Sequence, residues 1–239
     1  MALYAIGDLH LSLGTEKPMD VFGGAWDGYM EKLERGIAGI REEDTTVLLG
    51  DLSWALSLGE AKQDFAWINK IPGRKIILKG NHDYWWSTAA KFNKFCEENG
   101  FSNMYILHNN CYEYNGWALC GTRGWFYEEQ RSTEQDEKVF RRELIRLETS
   151  LKAAGEKPKM VFLHYPPRYR DYTCAEILEL LKKYDVRYCF YGHLHGPGQK
   201  MAQEGLWDGV EYRLVAADKL NFQPFTVISE SFFQKSVDI

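Results

Sequence analysis

Paired cysteines are missing from this sequence: Cys96, Cys111, Cys120, Cys174 and Cys189 include no CxxC spacing, and their odd number fits poorly with a closed disulfide framework. That excludes an all-thiolate zinc site and leaves reduced, mostly buried thiols in a protein expected to be cytoplasmic. Long apolar runs are missing too, since none approaches the roughly 20 residues of a membrane-spanning helix. The opening Met-Ala-Leu-Tyr-Ala-Ile carries no basic leader and meets Gly7-Asp8 too early for a signal peptide. Nor is there an excess of basic residues. A formal net charge of -5 disfavours broad attachment to nucleic acid or anionic lipid, so phosphate recognition is expected to be local. The Arg141-Arg142 pair lies among Glu137, Glu143 and Glu148, a mixture that reads as a solvated helix face. Repeats, low-complexity segments and linkers are absent, and one domain over residues 1–239 is the expectation.

Short apolar runs alternate with longer amphipathic ones, the order of helices crossing between strands of largely parallel sheets. The pattern predicts strands near 2–7, 45–49, 74–79, 104–107, 111–115, 117–121, 159–163, 187–191, 210–217 and 225–229. Helices are predicted near 26–40, 60–70, 88–99, 131–154 and 173–184, with capping chemistry around Asp27 and Thr173. The late cluster of strands suggests antiparallel hairpins. About ten strands are many for one open sheet in so short a chain, so two face-to-face sheets flanked by helices is the more economical α/β layout.

Five apolar runs end in a residue that can bind metal. Tyr4-Ala5-Ile6 leads to Gly7-Asp8-Leu9-His10, and Val47-Leu48-Leu49 to Gly50-Asp51. Ile76-Ile77-Leu78 leads to Lys79-Gly80-Asn81-His82-Asp83, Val161-Phe162-Leu163 to His164, and Cys189-Phe190-Tyr191 to Gly192-His193-Leu194-His195. Ligand sites of α/β proteins gather beyond the carboxyl ends of strands, so these separated segments can meet. One histidine at a strand end is more often structural; here all six of the chain except His108 stand in these segments. Carboxylate and imidazole together suit Mn, Fe or Zn.

In order, these segments read DxH, GD, GNH[DE], a separate H and GHxH, and in this the chain resembles the calcineurin-like metallophosphoesterases over most of its length, from Asp8 to His195. The resemblance implies a four-layer αββα sandwich holding two divalent metal ions. Asp8, His10, Asp51 and His195 would surround one ion, and Asp51 would bridge to a second held by Asn81, His164 and His193. Glycines Gly7, Gly50, Gly80 and Gly192 suit tight turns out of strands or close backbone approaches. Two divalent cations against two carboxylates leave roughly +2, which attracts a phosphate ester and lowers the pKa of a bridging water, so that hydroxide attacks without a covalent enzyme intermediate. His82 is the expected general acid, oriented and favoured in its protonated form by Asp83.

Less follows about substrate. Trp85, Arg123 and Arg168 lie in segments that could stack a ring or pair with phosphate oxygens, though core or lid packing explains them equally well. Asp218 and Asn221 are expected on the same rim, without an assigned role. After Gly50-Asp51 the chain continues Leu52-Ser53-Trp54, where relatives carry a further acidic residue, so their substrate preference does not transfer. The leading expectation is hydrolysis of a small phosphomonoester or phosphodiester, with no membrane partner and the oligomeric state open. The alternatives are a nuclease of the same superfamily, disfavoured by the acidic charge, and a noncatalytic scaffold, disfavoured by the retention of His82 and every expected ligand.

Overall fold

A computed structural model describes residues 1–127 and 132–229. Strand β1 (Leu3–Ile6) is followed by two short 3-10 turns, Met19–Phe22 and Gly24–Trp26, and by helix α1 (Tyr29–Ile37). Then come β2 (Thr45–Leu48), α2 (Lys62–Lys70), β3 (Arg74–Ile77), α3 (Ala89–Asn99) and β4 (Met104–Ile106). The second half opens with the hairpin β5 (Tyr112–Tyr114) and β6 (Trp117–Thr122), then α4 (Glu134–Ala153) and β7 (Lys159–Leu163). A small ribbon, β8 (Arg168–Tyr169) and β9 (Tyr172–Thr173), precedes α5 (Ala175–Lys183) and β10 (Val186–Tyr191). After a 3-10 segment at Gly196–Met201 come β11 (Gly205–Trp207), β12 (Val210–Leu214) and β13 (Phe225–Ile228).

These strands build two large sheets, one ordered β13-β1-β2-β3-β4 and the other β11-β12-β10-β7-β6-β5. The central pairs are parallel, and β13, β11 and β5 add antiparallel edges. Successive side chains of a strand point to opposite faces, and here both faces are covered. Leu3, Ala5, Val47, Ile76, Met160, Phe162 and Phe190 pack between the sheets. Their neighbours Ile6, Leu48 and Ile77 turn outward to a core shared with α1, α2 and α3, while Val161, Leu163, Cys189 and Tyr191 meet α4 and α5. Two buried faces explain why these strands read as unbroken apolar runs rather than alternating ones. The result is the four-layer αββα arrangement.

Several local expectations are corrected. Neither Asp27 nor Thr173 caps a helix: Gly28, in the left-handed region at φ 61, precedes α1, Cys174 precedes α5, and neither makes a side-chain cap hydrogen bond. Thr173 instead belongs to β9. Caps form at Thr88, which accepts from the Lys91 amide at 3.2 Å, and at Thr133, in a capping box with Asp136. Residue 131, the expected start of α4, lies outside the described residues. Glu143 is not solvated. It is 3 % exposed and accepts from Thr122 at 2.5 Å and Arg146 at 2.6 Å. Of the late strands, β12 forms the expected hairpin with β11, but β13 crosses to the other sheet and pairs with β1. Among the described residues no helix is long and apolar enough to cross a membrane.

Candidate metal centre

Because β1, β2 and β3 are parallel neighbours, and β7 and β10 are parallel neighbours in the facing sheet, their carboxyl ends bring five loops together. The loops leave the strands under local strain. Asp8 (φ 61), His10 (φ 47), Asp51 (φ 49) and His193 (φ 71) occupy the left-handed region, which costs non-glycine residues of order 1–3 kcal/mol each and persists only where the surroundings enforce it. Enforcement is visible in the cross-loop hydrogen bonds. The Asp8 amide donates to the Gly50 carbonyl at 2.8 Å, the His10 amide to the Asp51 carbonyl at 2.9 Å, and the His193 amide to the Asp8 carboxylate at 3.0 Å. A side chain on Gly80 would run into the Asp51 carboxylate, and one on Gly192 into that of Asp8.

The sequence-predicted ligands gather into two adjoining groups, Asp8, His10 and His195 in one and Asp51, His164 and His193 in the other, each with ligand atoms within 4.8 Å of one another. The oxygen Asp51 Oδ2 faces both, 3.9 Å from His10 Nε2 and 3.4 Å from His164 Nε2. Asn81 joins the second group, its Oδ1 lying 2.7 Å from His164 Nε2. Imidazole nitrogens also face one another, His10 Nε2 and His195 Nε2 at 3.4 Å and His193 Nδ1 and His164 Nε2 at 3.2 Å. Lone pairs converging in this way need a proton or a cation between them. The donor set of imidazole nitrogen and carboxylate oxygen fits divalent transition metals.

Outer hydrogen bonds aim the rings. His164 Nδ1 lies 2.9 Å from the Leu49 carbonyl and His195 Nδ1 2.9 Å from Asp218 Oδ1, which leaves each Nε2 pointing into the centre. Asp218, given no role by the sequence, is therefore the carboxylate behind the candidate ligand His195. Burial holds the His10 and His193 pKa values down to about 3, so both are neutral donors. Burial likewise pushes the Asp51 carboxyl up to about 7, a penalty that a cation would offset. His195 is opposed by burial, but its hydrogen bonds to Asp218 and Asp8 outweigh that and raise its pKa to about 10. Burial also acts against the Asp8 carboxylate, yet His195 holds it well below the usual range. Asp218→Asn is expected to weaken metal binding about 10- to 100-fold with little change in melting temperature, read by competition with a metal-sensitive dye.

Asp83 does not orient His82. Fully buried, it accepts from the amides of Asp51 (2.8 Å), Leu52 (2.8 Å) and Gly80 (2.7 Å) and from the Trp85 indole (2.8 Å). Its carboxylate thus pins the Gly50-Asp51 loop to the Gly80-Asn81 loop. Its influence on His82 is through charge alone and is opposed by burial and by His164, which lower the His82 pKa. Asp83→Ala leaves several buried donors unsatisfied, at about 1–3 kcal/mol each, so a loss of about 3 kcal/mol or more in unfolding free energy is expected in denaturant titration. A pure orienting role would instead leave stability unchanged.

The three substrate candidates stand outside the lining of the cleft. Trp85 is 3 % exposed and packs against Phe65 and Phe92. Arg123 pairs with Glu143 at 3.3 Å and covers the Trp125 ring at 4.5 Å, while its carbonyl accepts from the amides of His164 (3.1 Å) and Tyr165 (2.8 Å). Arg168 pairs with Asp208 at 2.8 Å. None of them lines the cleft of about 480 Å³ above the ligands, whose walls include Met19, Phe22, Ala25, Trp26, Trp54 and His82. Asn221 is likewise absent from its lining and sits in an exposed turn at φ 49. The contribution of residues 19–26 was hidden because Trp26 reads as the start of a helix and ends a 3-10 turn instead.

Fold and donor set together define a metal-binding protein of the four-layer α/β class. The chain belongs to the calcineurin-like phosphoesterase family, whose model matches residues 1–197. Two solved structures share the fold. One is a protein of unknown function, AQ665 from Aquifex aeolicus (15 % identity, covering 99 % of this chain and 97 % of that one, TM-score 0.50). The other is TT1561 of Thermus thermophilus (13 % identity, 88 % and 86 % covered, TM-score 0.51). A search of curated proteins returned no match.

Proposed function

We propose that the protein hydrolyses phosphate esters of small molecules at a two-cation centre, with Asp8, His10 and His195 on one side, Asn81, His164 and His193 on the other and Asp51 shared. The observation that carries this reading is the single oxygen of Asp51 within reach of both histidine groups. When bound, the cations would draw in and polarise the phosphoryl group and acidify a water molecule. The chain's own part is to fix five loops, hold His10 and His193 neutral, and keep Asp8 ionised. His82 stands at the cleft wall with its amide donating to Asp51 Oδ1 at 2.7 Å, and its imidazole is the group placed there to carry a proton to a departing oxygen.

The nuclease alternative asks for a basic track, and no Lys or Arg stands among the described residues lining the cleft. Five free thiols suit a reducing compartment, in keeping with a cytoplasmic enzyme. The test is metal-stripped protein reloaded with Mn²⁺, Fe²⁺ or Zn²⁺ and offered an aryl monoester, an aryl diester, a cyclic nucleotide and single-stranded DNA. Metal-dependent turnover of a small ester is the expected result. Faster cleavage of DNA than of every small ester would favour the nuclease, and no turnover with metal bound would favour the scaffold.

A further inference from the structure

We infer that the alcohol esterified to phosphate is uncharged and apolar, a hydrocarbon or ring-bearing group rather than a sugar or a second phosphate. This narrows the phosphoesterase reading above and rests on it. Trp54 stacks on His10 with ring centroids 4.9 Å apart, and Trp26 stands edge-on to both His10 and His195 at 5.7 Å. The apolar wall therefore begins at the ligand histidines themselves, and a group attached to a phosphoryl held there must touch it. Met19, Phe22 and Ala25 continue the wall outward. Phe22, which lines the cleft, is 69 % exposed, apolar surface left open there.

Polar partners for a sugar are scarce along this wall. The Trp54 indole N–H already meets Met19 Sδ at 3.2 Å, and the Asp218 carboxylate is taken by His195. Hydroxyls placed here would surrender water without replacement. Lys17 lies over the Trp54 ring at 5.7 Å but does not line the cleft, and with no Lys or Arg among the described lining residues a second phosphate would have no counter-charge.

The experiment compares alcohols of similar leaving ability. With Mn²⁺-loaded protein, kcat/KM is measured for methyl, hexyl, 2-phenylethyl, glycerol and ribose 5-phosphate esters, as monoesters and as methyl diesters. Binding of 3-phenylpropylphosphonate and 2,3-dihydroxypropylphosphonate is measured in parallel. The 2-phenylethyl ester should exceed the glycerol ester by about 10- to 100-fold, and the phenyl phosphonate should bind more tightly by a similar factor. Phe22→Asp should reduce that preference about tenfold, at unchanged metal content. Equal rates and equal phosphonate binding, or a preference untouched by Phe22→Asp, overturn the inference. Tight apolar phosphonate binding without hydrolysis of any ester would keep the apolar wall and remove the phosphoesterase reading, so the two failures are distinguishable.

Discussion

Replacing Asp51 by Asn should empty both halves of the centre and lower turnover by about three orders of magnitude or more. The amide keeps the shape but removes one of two ionised carboxylates opposing the cations, and its weaker oxygen must serve both histidine groups at once. Several kcal/mol of transition-state stabilisation ride on cations in such centres, and each 1.36 kcal/mol is about tenfold in rate. Folding should survive, because the Asp51 amide and carbonyl, rather than its side chain, carry the bonds to Asp83 and His10. Metal analysis beside thermal melting checks this. A folded Asp51→Asn protein with two ions bound would remove Asp51 from the shared position.

His82→Ala should retain its metals and lose about 10²- to 10⁴-fold in turnover of an alkyl ester. The loss should be much smaller for an activated aryl ester, which departs without needing a proton. Burial and His164 keep the His82 pKa low, and Asp83 gives no hydrogen bond to raise it, so the ring is a proton carrier of modest basicity rather than a fixed imidazolium. The measurement is turnover across a leaving-group series. A steeper dependence in the variant is the expected result, whereas equal loss along the whole series would make His82 a phosphate-positioning group.

The gathering of the candidate ligands was legible because each of their segments closes an apolar run, and an apolar run buried on both faces is a strand whose end is fixed in space. Val47-Leu48-Leu49 before Asp51 and Phe190-Tyr191 before His193 carry that information in the order of residues alone. The two-sheet arrangement followed from the same runs, since eleven strands in two sheets bury what one open sheet would expose. Asp83 misleads because its nearest neighbour in sequence, His82, is not its partner; its hydrogen bonds reach amides 31 and 32 positions away. The Arg123 side chain pairs with Glu143, twenty positions away, and its carbonyl, which every residue has, holds the His164 and Tyr165 amides, so neither contact shows in the local sequence. Asp218 gained its role only when β12 and β10 were paired and the turn after β12 came beside His195. The apolar wall at 19–26 rests on two 3-10 turns, which carry no strong periodicity.

The most direct test of a two-cation phosphoesterase is a stepwise titration of metal-stripped protein with Mn²⁺, following bound metal and hydrolysis of a small aryl phosphate in the same sample. Two bound equivalents are expected, with hydrolysis rising as the second is taken up and vanishing when a chelator removes both. Hydrolysis undiminished in the stripped protein, or two equivalents bound with no hydrolysis of any phosphate ester, would contradict it.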